Sequence, residues 1–501
     1  MELINNLSLG FSTVLTGQNL LFSFFGVLLG TLIGVLPGLG PLVAIAVLLP
    51  FTFGLDPVSS MIMLAGIFYG AQYGGSTTAI LINLPGEASS IVTTLDGHEM
   101  AKRGHAGKAL ATAAIGSFFA GCVATVLIGV FAPPLAELAF QFGPAEYFSL
   151  MVCGLIVSVV LANGSVLKAI GMMVFGLLLG LIGTDEMTGL QRMTLDIPEL
   201  SDGLSVAAIA MGIFGLGEIM RNLEDTTKRE FSVSKITSLM PTRDDLKLIF
   251  APMVRGTFLG SFLGVLPGGG ALLASFSAYA LEKKIAKDPS AFGKGAIQGV
   301  AAPESANNAG AQTSFIPMLT LGIPSNPVMA LMISALIIQG IEPGPAVITD
   351  HPELFWGIIA SMWIGNLMLL VLNLPLVGLW VKLVSIPYKF LFPIVIVFAC
   401  VGVFSVNNTA FAVLTMAAFG VLGYVLKKLE CEAAPMILGF ILGPMMEGHM
   451  QRALLISGGE ISVFVREPIS AGLLIVAAIA LVAAVLPSVR KTRTIALVDE
   501  D

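Results

Sequence analysis

Several groups of residues in this chain pair polar chemistry with an apolar setting, and each can be read for what it could hold. The first is a pair of glycine-proline motifs, Leu36-Pro37-Gly38-Leu39-Gly40 and Leu266-Pro267-Gly268-Gly269-Gly270. Proline removes a backbone donor, and neighbouring glycines permit a reversal. Each motif should break a helix inside a membrane and aim free N–H groups and a positive helix end at an anion. The second group is two polar stretches. One carries Gly74, Gly75, Ser76 and Thr77 and continues to Asn83; the other carries Asn307, Asn308, Thr313 and Ser314 and continues to Pro324 and Ser325. Hydroxyls and carboxamides donate and accept hydrogen bonds without charge, which suits a carboxylate that must bind and leave. Their oxygens also suit a hard cation such as Na+. We read Pro37, Gly38, Gly40, Gly74, Gly75, Ser76, Thr77, Asn83, Pro267, Gly268, Gly270, Asn307, Asn308, Thr313, Ser314, Pro324 and Ser325 as candidate substrate- or ion-binding residues.

Charge is scarce beside these clusters. No Lys or Arg falls in the middle of a confident span, and Arg255 comes nearest, at the edge of one. An anion must then be held by neutral donors and helix ends, with co-bound cations. Of the nearby acids, Glu304 stands beside Asn307 and Asn308 and is the candidate for ion coupling. Glu87 and Asp96 are placed at the cytoplasmic edge. His98-Glu99 and His105 do not make HExxH, because the second histidine comes seven residues after the first; a solvated loop is expected there. No catalytic residue, P-loop or resident metal is read.

The elements that must position these residues are membrane helices. Of 501 residues, 56% are apolar and only 11% charged, against about 25% charged in a soluble domain. That balance excludes a soluble fold and disorder, and the long continuous apolar runs exclude a β-barrel. The net charge of −7 carries no basic nucleic-acid footprint. Cys122, Cys153, Cys400 and Cys431 read as buried free thiols, and the start of the chain lacks the basic residues of a signal peptide. Apolar segments lie near 20–36, 41–55, 58–86, 110–133, 145–162, 168–184, 204–221, 249–266, 271–281, 311–339, 353–382, 388–404, 409–427, 432–446 and 468–488. Several are too short to cross alone.

The two halves resemble each other. GVLLGTLIGVLPGLG at 26–40 and GTFLGSFLGVLPGGG at 256–270 agree at nine of fifteen positions. Glycine recurs every fourth residue in both, and Gly26, Gly30, Gly34 and their copies read as packing residues. Softer echoes pair Asn163 with Asn407 and Gln191-Arg192 with Gln451-Arg452. The basic loops alternate. Lys102, Arg103 and Lys108 follow the third segment, whereas its counterpart at 340–353 has no Lys or Arg; the turn at 51–57 has none, whereas its counterpart carries Lys283, Lys284, Lys287 and Lys294. Basic loops face the cytoplasm, so the second half should be inverted. The expected fold is an all-α polytopic membrane protein of about twelve transmembrane helices, with two inverted repeats and broken or re-entrant helices at the midplane. Its parts are a first repeat (1–221), a cytoplasmic linker (222–248), a second repeat (249–488) and a cytoplasmic tail (489–501), with the N-terminus periplasmic. Such duplication is typical of secondary carriers.

GxxxGxLPGLG near the start, YGGSTTAILINLPGE, FGPAEYF at 142–148 and GKGAIQGVAAPESANNAGAQTSFIPMLTLGIP at 293–324 make the chain similar to the large membrane subunit of the tripartite tricarboxylate transporter family. The resemblance spans essentially the whole chain. It implies a bacterial inner-membrane carrier of citrate-like carboxylates, driven by a Na+ or H+ gradient. It implies two partners, a small four-helix membrane subunit and a periplasmic substrate-binding protein, docked on outer loops such as 184–203 and 340–353. It carries onto Pro37, Gly38, Gly40, Gly74, Gly75, Pro267, Gly268, Gly270, Asn307, Asn308 and Pro324. Ser76, where relatives often have arginine, and Pro324-Ser325-Asn326-Pro327, where they often have proline-glycine-serine, depart from the pattern and bear on the substrate. The alternatives are a carboxylate carrier needing no binding protein, or an ion channel.

Overall fold

The long helices begin where the sequence supplies caps. The computed structural model describes residues 2–36, 40–52, 54–162, 165–185, 187–224, 239–268, 270–384 and 388–485. After α1 (Glu2–Val14), the Thr16 hydroxyl accepts from the Asn19 N–H and opens α2 (Gly17–Gly34). Beyond the first glycine motif comes the short α3 (Gly40–Leu48). Asp56 accepts from the Ser59 N–H at 3.1 Å, with Pro57 at the first helical position, and opens α4 (Pro57–Ile82). A short α5 (Ile91–Thr93) and two π-helical turns lead into α6 (Ala106–Ala139), which is followed by α7 (Pro144–Leu161) and α8 (Val166–Gly180). A hairpin of β1 (Gly183–Thr184) and β2 (Gln191–Arg192) comes next, then α9 (Val206–Ala210), a π turn, and α10 (Gly217–Glu224).

The second half starts with a capping box. Thr242 and Asp245 satisfy each other's backbone N–H groups at the start of α11 (Arg243–Val265). This helix therefore takes in the last residues of the stretch read as linker, and 225–238 lie outside the described residues. Then come α12 (Gly270–Ile285), α13 (Gln298–Thr313), α14 (Phe315–Leu321), α15 (Pro327–Ile338), α16 (Ala346–Asp350) and α17 (Pro352–Asn373). The chain closes with α18 (Val377–Val384), α19 (Tyr388–Asn407), α20 (Ala410–Lys428), α21 (Ala434–Ile456), α22 (Val463–Arg466) and α23 (Pro468–Val485). The tail, 489–501, lies outside the described residues, as does Asn163.

The chain is thus an all-α polytopic membrane protein. Among the described residues six helices are long and apolar enough to cross a bilayer, and four more apolar helices are shorter. The expected single segment at 311–339 is three helices, α13 to α15, and the first of them starts earlier, at Gln298. The polar run 303–310 is accordingly helix, buried throughout. Only Cys153 among the four cysteines is fully buried; Cys122, Cys400 and Cys431 are half-buried.

Glycine sets the closest crossings. Gly26, Gly30 and Gly34 of α2 rest directly on the carbonyls of Met63, Ile67 and Ala71 in α4. Gly256, Gly260 and Gly264 of α11 rest on those of Ala302, Ala306 and Gly310 in α13. Each α-carbon faces a carbonyl with no room for a side chain, so dispersion contacts extend along both crossings. The result is that α4 and α13 lie at the centre, walled by α2, α6, α11, α12 and α17. Around them α8 packs on α21, α7 on α21 and α23, and α20 on α9, α10 and the π turn between them.

The connections gather into two sets. Gln339 donates to the Thr52 carbonyl at 3.1 Å, joining the turn before α4 to the end of α15. At the other end of α4, His98 Nδ1 lies 3.0 Å from the Ile80 carbonyl, Asp96 joins Gly295 and Ala296, and Lys108 pairs with Asp245 at 2.7 Å. At 26 residues, α4 spans about 39 Å.

Candidate functional site

Both α4 and α14, the continuation of α13, end in a left-handed residue, and the chain then folds back. At the end of α4, Asn83 takes φ +58°. The returning strand runs beside the helix, and the Gly86 N–H donates to the Gly75 carbonyl at 3.4 Å. Gly86 presses on both Gly34 and Gly75, where a side chain has no room. At the end of α14, Gly322 takes φ +68°. The return there is held by the Gly268 N–H, which donates to the Ser325 carbonyl at 2.8 Å, and by Ser325 and Asn326, whose side chains donate to the Ser314 carbonyl and hydroxyl at 3.5 and 3.1 Å. Asn326 also caps α15 by accepting from the Val328 and Met329 N–H groups.

The first return carries Glu87 into the interior. The Gln72-to-Ile82 separation along α4 places it about 15 Å inward of the helix end. There Glu87 Oε1 accepts from Ser89 at 2.5 Å and from Asn307 Nδ2 at 3.2 Å. The Gln72 carboxamide, with its nitrogen turned toward these acceptors, donates to Glu87 Oε2 at 2.5 Å and to Asn307 Oδ1 at 3.0 Å. Glu87 is 9% exposed. It therefore does not sit at a solvated edge as expected from sequence; the fold-back after Asn83 buries it.

A second carboxylate lies in the same interior. Glu304, 1% exposed, accepts from Ser76 at 2.6 Å on one oxygen and from Thr93 on the other. Asn308 donates to Ser117 at 2.6 Å and to the Glu304 carbonyl at 3.0 Å. None of the ion pairs formed among the described residues includes Glu87 or Glu304. The partners of both are hydroxyls and carboxamides. Buried charge without a counter-charge is costly, so each carboxylate is poised to take a proton or a small cation. Helix ends complete the setting: Gly40, at φ +54°, opens α3 next to Glu87, and Gly270, at φ +52°, opens α12 next to Asn326.

The sequence candidates divide by what they touch. Gly75, Ser76, Asn307, Asn308 and Glu304 meet at the first centre, with Gly40 at its rim. Gly268, Gly270, Ser314 and Ser325 meet at the second, with Pro324 in the returning strand. Seven helical residues separate Asn307 from Ser314, about 10 Å along the axis. Pro267 packs on Gly154 of α7, and Gly74 on Thr31 and Gly34 of α2. Thr313 donates to the Ala309 carbonyl one turn back, as does Thr77 to Tyr73, and Asn83 supplies the turn. Pro37 and Gly38 lie outside the described residues.

Asp96 lies among the basic loops at the end of α4, but it is not solvated there. It is fully buried and accepts from the Gly295 and Ala296 N–H groups, both at 2.7 Å, and from the Tyr279 hydroxyl at 3.0 Å. It ties the loop after α5 to the loop before α13. The His98 to His105 segment forms π turns, and Lys102, by hydrogen bonding, holds the Glu99 carboxyl below its usual range. Sequence reading missed Gln72, Ser89, Thr93, Ser117 and Asn373; Tyr73 opened the first polar stretch but was not among the candidate binding residues. Gln72 carried a signal, standing one helical turn before Ser76; Ser117 and Asn373 lie in apolar runs and carried none.

Comparison with known proteins now gives this geometry a family. Residues 20–438 match the family described as "Tripartite tricarboxylate transporter TctA family". The chain is 59% identical over 501 residues, the full length of both, to "Uncharacterized 52.8 kDa protein in TAR-I ttuC' 3'region" of Agrobacterium vitis. It is also 59% identical over 242 residues to "Uncharacterized protein in TAR-II ttuC' 3'region" of the same organism, which covers 48% of this chain and all of that relative. No solved structure matches. The chain belongs to the tripartite tricarboxylate transporter TctA family, a family of large transporter subunits and not of enzymes.

Proposed function

We propose that this chain is the translocating subunit of a cation-driven, binding-protein-dependent importer of citrate-like tricarboxylates or related carboxylates. The observation that carries the reading is the interior just described. Two folded-back segments meet two helix ends around carboxylates and carboxamides that no basic side chain among the described residues neutralises. Neutral donors and helix ends bind an anion reversibly, and acids without counter-charges take up the driving cation, Na+ or H+. Substrate would meet Gly40, Asn307, Gly268, Gly270, Ser314 and Ser325, and from the sequence pattern Pro37 and Gly38.

The two halves would be inverted repeats that carry this site between the membrane faces. Matching contacts support the duplication. Ile82-Asn83-Leu84-Pro85-Gly86-Glu87 and Leu321-Gly322-Ile323-Pro324-Ser325-Asn326 stand 239 residues apart. The same offset relates Gly75 to Ser314, and Met63, Ile67 and Ala71 to Ala302, Ala306 and Gly310. Partners would be a small four-helix membrane subunit and a periplasmic binding protein, in a bacterial inner membrane with the N-terminus periplasmic and the C-terminus cytoplasmic. The hairpin at 183–192 suits an outer docking platform. It is pinned by Arg192, which forks onto Glu447 at 2.7 and 2.9 Å, and it exposes Leu190, with Leu195 exposed just beyond it.

Uptake of labelled citrate into proteoliposomes tests the reading, with both membrane subunits, an imposed Na+ or H+ gradient, and the binding protein present or omitted. Accumulation only with gradient and binding protein is expected. Accumulation without the binding protein gives the stand-alone carrier, and flux that never exceeds equilibrium gives the channel. Uptake of another carboxylate instead of citrate keeps the mechanism and changes the substrate.

A further inference from the structure

Beside Glu304 is a small cavity lined by Tyr73, Ser76, Thr77, Ser117, Glu304 and Asn373, with alanines and Leu110 closing it. Its free volume of about 10 Å³ admits one water-sized particle and no carboxylate substrate. Two of its polar walls are unspent. The Tyr73 hydroxyl, on a side chain 4% exposed, has no hydrogen-bond partner among the described residues. Neither has Asn373 Oδ1, on a residue 7% exposed. The Asn373 amide nitrogen donates to the Leu369 carbonyl at 3.0 Å, which turns the oxygen away from its own helix. Buried polar atoms are nearly always paired, so two orphans beside one unneutralised carboxylate need an explanation.

We propose that this cavity is a sodium site. One Na+ would be held by the Glu304 carboxylate, the Ser76, Ser117 and Tyr73 hydroxyls and Asn373 Oδ1. A single carboxylate balances a single positive charge, and the remaining donors are neutral oxygens, the ligand type hard cations take. Protonation of Glu304 alone would leave Tyr73 and Asn373 unpaired; one particle in the cavity pairs both, a water or a cation, and beside an unneutralised carboxylate the cation also balances the charge. A divalent ion would leave one charge uncompensated in the interior. The two carboxylates then divide their work. Glu304 holds the ion, and Glu87, tied to Gln72 and Asn307, faces the substrate region. Only the ion's role in transport rests on the importer reading; its binding is independent of it.

The test is equilibrium binding of radioactive Na+ to the full chain in detergent, at constant ionic strength held with choline, compared with two variants. Saturable binding to the wild type is expected. Tyr73→Phe removes an oxygen that makes no bond in the fold, so the protein should unfold at the wild-type temperature in choline while binding Na+ about tenfold more weakly. Glu304→Gln should abolish binding. Absence of saturable wild-type binding, or an unchanged affinity in Tyr73→Phe, overturns the site. Na+ binding that responds to both variants, combined with failed gradient-driven uptake, would retain the site and remove the importer reading. Sodium-driven uptake with unchanged Tyr73→Phe affinity would do the reverse.

Discussion

At the scale of single residues, glycine does different jobs in this protein, and substitution separates them. Gly30 faces the Ile67 carbonyl so closely that a methyl group has nowhere to go. Gly171, also inside a helix, has no atom within 4 Å of where its methyl would be. Gly30→Ala must push α2 off α4 and should cost about 1–3 kcal/mol, the usual penalty of overpacking. Gly171→Ala only removes backbone freedom and should be neutral or stabilise by about 0.5–1 kcal/mol. Thermal unfolding of the full chain in detergent measures both. Equal shifts would show that the glycine stripe is not a packing surface. The same comparison clarifies the acids. Glu87, Asp96 and Glu304 are all buried, yet Asp96 spends its oxygens on two backbone N–H groups and a tyrosine, a structural latch, while the other two meet only side chains.

At the scale of elements, the decisive features are the two returns, and Asn83 tests them. Its φ of +58° lies in the left-handed region, which asparagine tolerates and a β-branched side chain does not. Asn83→Gly should leave stability within about 0.5 kcal/mol, and Asn83→Val should cost about 1–2 kcal/mol. If valine is accepted as readily as glycine, the turn does not hold the strand that carries Glu87. These returns also explain what could be read from the sequence. The helices on the periphery were legible, because runs such as Pro144–Leu161 and Ala410–Lys428 are long and predominantly apolar. The glycine stripes were legible from spacing alone. The helix α13 was not, since a span walled on every side by protein needs no apolar face, and its Glu, Gln and Asn residues lower its hydropathy. Glu87 was misplaced for a related reason. Counting residues beyond the end of an apolar run measures distance along the chain, and a chain that doubles back recovers that depth. Of the sites, the first centre was half legible: Ser76, Asn307 and Glu304 announced themselves as polar residues in apolar sequence, whereas Ser117 and Asn373 needed the packing of α6 and α17.

At the scale of the whole molecule, the placement of the basic loops can be checked against the structure independently of any repeat. The loops rich in Lys and Arg, 98–108 and 283–298, come together at one end of α4 through the Asp96 contacts to Gly295 and Ala296, and the helix start at Asp245 joins them through Lys108. The turn and loop that lack Lys and Arg, 51–57 and 340–353, come together at the other end through Gln339 and Thr52. Charge and contacts therefore sort the connections into the same two faces, which is what a bilayer between them requires. The prediction follows directly. In a chain whose four cysteines are replaced, single cysteines at Lys102 and Lys284 should react with a membrane-impermeant thiol reagent only after the cells are opened. Cysteines at His351 and at Leu195, 82% exposed just after the hairpin, should react in intact cells whose outer membrane has been made permeable. If Lys102 and Lys284 fall on different sides, the two faces are wrongly composed and the inverted arrangement fails with them. If all four labels exchange sides together, the faces stand and the chain is inserted the other way. The binding protein would then dock on the basic face, and the 183–192 hairpin would lose its role as an outer platform.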